Sequence, residues 1–137
     1  MQKYTHLVFA FLVFLLLNQV FHYPLYLAFI AFIGTMLPDL DIKVKNLHRK
    51  IFHNLWFLAL VLFVLFRMGL IDNQFAIIFS IGFISHLVAD SLTHMGIMPL
   101  WPIPVPKFNG PVKTGSLGEF GVLIFLIIII FMIGGLI

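Results

Sequence analysis

The sequence predicts an all-α protein: a polytopic transmembrane helical bundle of about five hydrophobic helices. Three observations predict it. Hydrophobic residues make up 62% of the 137 residues and charged residues only 9%, whereas a soluble domain carries about 25% charged residues to cover its water-facing surface. Apolar runs recur from one end of the chain to the other, rich in Phe, which occurs 17 times. The Lys and Arg residues gather between alternate runs, as the positive-inside rule requires of a protein that crosses a membrane several times. The expected organisation is a single integral membrane domain over residues 1–137, amino end inside and carboxyl end outside, with an interfacial proline-rich loop.

The elements follow in order. The first run, Tyr4 to Val20, follows Met1–Lys3 much as the apolar part of a signal peptide would, but Asn18–Tyr23 is too bulky and polar for a cleavage site, so it reads as a retained helix. The second run, Pro24 to Leu37, opens on a proline suited to a helix start. The third is Leu55 to Leu70, with Arg67 near its end; the fourth is Gln74 to Leu92; the fifth is Leu117 to Ile137, with Glu119 its one ionisable group. A full span needs about 20 residues, which the first, fourth and fifth runs meet. The second and third are short. They are either extended by their flanks or seated where the bilayer thins, and the second can also be re-entrant.

With the amino end inside, Lys3, Lys43, Lys45, Arg49, Lys50, Lys107 and Lys113 all lie inside and only Arg67 lies outside. The connection Pro38–Asn54 is polar and basic. Thr93–Ser116 holds five of the 7 prolines, together with Trp101 and Phe108, which denies it a regular helix and suits a lid at headgroup level. Ser116-x-x-Glu119 reads as a capping box for the last helix. The basic residues sit beside apolar runs and the net charge is only +3, so membrane lipids are the expected partners and nucleic acid is not. The oligomeric state is not legible in the sequence.

Placed on this topology, the ionisable residues collect at one membrane face. His6 starts the first helix, Asp39 and Asp41 follow the second, His48 and His53 precede the third, and His86 and Asp90 lie in the last turns of the fourth. His86-x-x-x-Asp90 puts both side chains on one helix face, at a depth where ionisable groups are costly and usually functional. Asp39 and Asp41, two apart, would point to the same side of an extended stretch, although a helix stop followed by a polar turn gives the same letters. His48 and His53 read either as ligands or as interfacial histidines among basic anchors. Arg49 either meets a phosphate-like group or snorkels. His22 falls on the opposite side, and His94 lies past the helix end with no evident partner. The chain has no cysteine, so any metal would be held by imidazole nitrogen and carboxylate oxygen. Such a set suits zinc first, then manganese or iron. No G-x-S-x-G, Walker A loop or dinucleotide fingerprint is present.

Thr5-His6, Pro38-Asp39-Leu40-Asp41, His48-Arg49 with His53-Asn54, and His86-x-x-x-Asp90-Ser91 with Thr93, in that order between apolar helices, resemble the YdjM-type membrane-bound metal-dependent hydrolases. Trp101-Pro102 and Thr114-Gly115-Ser116 with Glu119 are similar to the family's late segment. The resemblance implies a small multi-pass inner-membrane protein with a divalent metal and hydrolase activity. A site under lipid headgroups meets lipids first, so the expected substrate is a phospholipid or another lipid-linked ester. The expected metal ligands are His6, His53, His86 and Asp90. Asp39, Asp41 and His48 are further ligands or the general base, and Arg49 neutralises substrate charge. The rival readings are a metal or proton transporter, which would favour a midplane site between internal repeats, and a non-catalytic membrane scaffold, which would bind no metal.

Overall fold

In a bilayer core every backbone N–H and C=O must be satisfied within the protein, and a helix does this segment by segment. The computed structural model describes residues 1–41 and 51–134, with Asp41 described in its backbone alone. These residues form five α-helices: α1 (Lys3–Phe21), α2 (Ala28–Met36), α3 (Leu55–Arg67), α4 (Asn73–Ser91) and α5 (Leu117–Gly134). Short 3₁₀ turns at Leu25–Leu27 and Leu37–Asp41 flank α2. Among the described residues there is no strand, only isolated bridges pairing Thr93 with Val112 and Ile97 with Phe108. Three helices, α1, α4 and α5, are long and apolar enough to cross a membrane.

Local chemistry sets where these helices begin and end. The Asp72 side chain accepts a hydrogen bond from Phe75 N at 2.9 Å and so caps α4. Asn54 Oδ1 accepts from Phe57 N at 2.7 Å and caps α3. α1 stops at His22, whose left-handed φ of 54° turns the chain out of the helix while its N–H still reaches Asn18 O. Asn18 Oδ1 then accepts from Tyr23 N at 2.6 Å and closes the turn. Ser116 Oγ accepts from Glu119 N at 3.4 Å, the forward half of the expected capping box.

α4 is the axis of the bundle. It packs against α2 backbone to backbone. A Cβ added at Gly34 would collide with the Phe79 carbonyl, and one at Gly82 with the Ala31 carbonyl. Small residues that let helices approach this closely are how membrane helices associate, since lipid offers no hydrophobic drive between them. Thr35 Oγ1 donates to Gly82 O at 2.8 Å across the same contact. One buried cluster joins Leu12, Phe14 and Leu15 of α1 to Ala28 and Ala31 of α2, Ile78 of α4, and Leu126 and Ile133 of α5. A second joins Leu58 of α3 to Phe79, Phe83 and Leu87 of α4 and to Ile97 of the long loop.

Two sequence expectations need correction. Pro24 does not open an α-helix; it precedes a single 3₁₀ turn, and α2 proper starts at Ala28. Asp39 and Asp41 do not lie in an extended stretch. Leu37–Asp41 continues the end of α2 as a 3₁₀ helix, where about 120° per residue turns i and i+2 apart rather than onto one side. The loop from Thr93 to Ser116 is irregular, as its prolines require. It is fastened to the start of α3 by Leu55 N donating to Pro99 O at 2.9 Å and by the Trp56 indole donating to Leu100 O at 3.4 Å.

Candidate metal centre

The helices run alternately up and down, so the start of α1, the end of α2, the start of α3 and the end of α4 meet at one end of the bundle. Each brings a side chain to a common point. His6 sits in the second turn of α1. Asp39 lies in the 3₁₀ turn after α2, and His53 just ahead of the Asn54 cap of α3. His86 and Asp90 lie one turn apart near the end of α4. His6, His53, His86 and Asp90 are all 2% exposed or less.

Asp90 is the hub. Its Oδ1 is 3.3 Å from His6 Nε2 and accepts from the Met1 amine at 2.9 Å. Its Oδ2 is 3.4 Å from His53 Nε2 and 3.7 Å from His86 Nε2. His86 Nε2 and His53 Nε2 are 3.1 Å apart. Asp39 Oδ1 is 3.8 Å from both of these nitrogens. The His6 and His86 rings stack with centroids 4.0 Å apart at 15°. The His53 ring meets that of His86 edge-on at 5.0 Å.

These separations suit a bound cation. Nitrogen and oxygen ligands about 2.0–2.1 Å from a zinc ion stand roughly 3.3 Å from one another at the corners of a tetrahedron, close to the separations found here. Three imidazoles turn the same nitrogen, Nε2, toward the same point, and at most one proton fits between His53 and His86. Two overlapping sets, His6–Asp39–His86 and His53–His86–Asp90, have their ligand atoms within 4.8 Å of one another. The buried His–Asp cluster can therefore hold a metal ion. Nδ1 of His6 and of His86 are buried without a hydrogen-bond partner among the described residues. Ring stacking, rather than the outer hydrogen bond usual for a ligating histidine, is what these two rings share.

Of the residues singled out from the sequence, His6, Asp39, His53, His86 and Asp90 come together. His48 and Arg49 lie outside the described residues, as does the side chain of Asp41. His22 and His94 stand apart from the cluster. His22 ends α1, its ring Nδ1 3.0 Å from Val20 O, and His94 is exposed. Sequence reasoning did not assign Asn54 a role. By capping α3 it fixes the chain that carries His53, and an Asn directly before an apolar run is the signal for such a cap.

The fold and the cluster define a small multi-pass membrane protein with a buried His–Asp centre at one end of its helices. The chain belongs to the YdjM family: the family model described as YdjM inner membrane protein matches residues 1–136. It is accordingly a multi-pass inner-membrane protein. No curated protein and no solved structure matches it.

Proposed function

We propose that this chain is a membrane-bound metal-dependent hydrolase acting on a phospholipid or another lipid-linked ester at the membrane interface. The observation that carries the reading is the convergence of five nitrogen and oxygen donors from four separate segments. They meet near one end of three apolar helices rather than at their middle. Ionisable groups are retained at such depth chiefly for function. A centre near a helix end also favours interfacial chemistry over transport through a midplane site.

His6, His53, His86 and Asp90 would hold the ion, zinc first and manganese or iron next, with Asp39 beside them. When bound, a divalent ion supplies Lewis-acid activation of water and of the phosphoryl or acyl oxygen. The residues divide the remaining work by exposure. The Asp90 side chain is 3% exposed and enclosed by imidazoles, which suits a ligand, whereas that of Asp39 is 20% exposed. As the more exposed of the two carboxylates, Asp39 would take the proton of the attacking water and return it to the departing ester oxygen. Asp41, His48 and Arg49 follow closely in the chain; Asp41 and His48 are proposed as further ligands or an alternative base, and Arg49 as the residue that neutralises substrate charge.

An apolar groove of about 710 Å³ between α1, α3 and α4, lined by residues such as Phe9, Val13, Phe66, Ile77 and Ile84, supports a lipid tail as part of the substrate. At 100° per residue along α4, the stripe that lines it turns away from His86. A lipid whose tail occupies the groove would have to pass around the end of α4 to bring its headgroup to the His–Asp cluster.

The test is elemental mass spectrometry of the detergent-purified protein, wild type beside His86→Ala with Asp90→Ala, followed by turnover of lipid esters in vesicles. Stoichiometric zinc or manganese that disappears in the double variant, with ester cleavage by the wild type alone, is expected. A wild type that stays metal-free after reconstitution with zinc and manganese returns the protein to a scaffold role.

A further inference from the structure

We propose that Glu119 is a positioning residue for the metal centre: its buried carboxylate anchors the start of α1 and so sets where His6 stands. The inference rests on the metal-binding reading of the His–Asp cluster and deepens it.

Glu119 sits in the first turn of α5 and is 2% exposed. In a capping box the Glu side chain reaches back to the N–H of its own cap residue. Here it does not. Oε2 accepts from Gly115 N at 2.7 Å, one residue ahead of the capping serine. Oε1 accepts from Gln2 N at 2.5 Å, far away in the chain. Capping α5 would require neither burial nor a partner on another helix, yet a buried carboxylate in an apolar setting is costly unless hydrogen bonded.

The other side of Gln2 leads to the cluster. Its carbonyl accepts from Thr5 N at 3.0 Å and from His6 N at 3.2 Å. Gln2 is the cap of α1, and its side chain makes no capping hydrogen bond. Glu119 therefore grips the Gln2 amide while the Gln2 carbonyl grips the amide of His6. The His6 ring has no Nδ1 partner among the described residues to orient it. Its Nε2 reaches Asp90 because the backbone beneath it is held, and the carboxylate doing the holding belongs to α5.

The experiment measures zinc affinity of the detergent-purified full chain by competition with a chromophoric chelator, for wild type, Glu119→Gln, His6→Ala and the double variant. The neutral amide offers a single acceptor oxygen, so one of the two N–H bonds is lost. Glu119→Gln should weaken zinc binding about tenfold, in the range seen when the support of a ligand is removed. His6→Ala should weaken it at least as much, and adding Glu119→Gln to His6→Ala should change nothing further. Unchanged affinity in Glu119→Gln overturns the proposal. So does an equal loss in both backgrounds, because a general effect on the fold would not depend on His6. If Glu119→Gln does not accumulate in the membrane, Glu119→Asp goes through the same cycle with the same expectations, since it keeps the charge but withdraws the carboxylate by one methylene. Absence of zinc from the wild type would sink the metal reading itself, and this role with it, whereas a zinc-loaded wild type with an indifferent Glu119 sinks this role alone.

Discussion

α4 and α5 are nearly equal in length, 19 and 18 residues, and both are apolar enough to cross a membrane. They are used in opposite ways. In its most apolar stretch α4 is 56% buried and carries His86 and Asp90; α5 is 17% buried there and is the more apolar of the two. A water-soluble protein would reverse this order, with its most apolar helix at the centre. Lipid removes the incentive, because a tail solvates Leu or Ile as well as another helix does. What goes inside a membrane bundle is what lipid cannot solvate: imidazole, carboxylate, hydroxyl, and glycine backbone that needs close company.

Four substitutions can break or sharpen this contrast. Asp90→Ala on α4 removes the hub of the cluster. It should lower metal affinity by at least about 100-fold, beyond the loss typical of an outer support, while the protein still inserts; metal content and membrane fractionation read both parts. Gly82→Val forces side-chain atoms into the Ala31 carbonyl and should cost about 1–3 kcal/mol by overpacking, seen as a lower thermal midpoint in detergent. Thr35→Val keeps the shape of the α2–α4 contact but deletes the hydrogen bond to Gly82 O, for about 1 kcal/mol in the same assay. Gly121→Ala on α5 meets nothing within 4 Å. It should be neutral, or stabilising by up to about 1 kcal/mol through helix propensity. If it costs as much as Gly82→Val, α5 is packed against something and the contrast with α4 fails.

Much of this was legible in the sequence, and for a physical reason. Hydropathy marked α1 and α4 to within one residue at each end, and the start of α5, because a span must be continuously apolar. Tyr4–Val20 became Lys3–Phe21, and Gln74–Leu92 became Asn73–Ser91. Alternation of the runs brought His6, Asp39, His53, His86 and Asp90 to one end without any distance information. The geometry of the turns was not legible. Nothing in Pro38-Asp39-Leu40-Asp41 separates an extended stretch from a 3₁₀ turn, and the choice decides whether the two carboxylates act together. Nor did the letters single out Gly34 and Gly82 among the 10 glycines, since the collision that forbids a Cβ comes from another helix. Ser116-x-x-Glu119 announced a local cap and gave no sign of the bond to Gln2, which depends on the docking of α1 against α5.

The 3₁₀ turns at the two ends of α2 change its reach. Leu25 to Asp41 as one α-helix would extend about 25 Å at 1.5 Å per residue, short of a hydrocarbon layer about 30 Å thick. A 3₁₀ turn rises about 2.0 Å per residue, and winding both ends more tightly lengthens the segment to roughly 30 Å. The middle stays α-helical where Ala31 and Gly34 must fit against α4, and the stretched ends carry the rest of the distance. A run too short by its letters thus reaches further than an α-helix of the same length, and its end brings Asp39 Oδ1 to 3.8 Å from His86 Nε2.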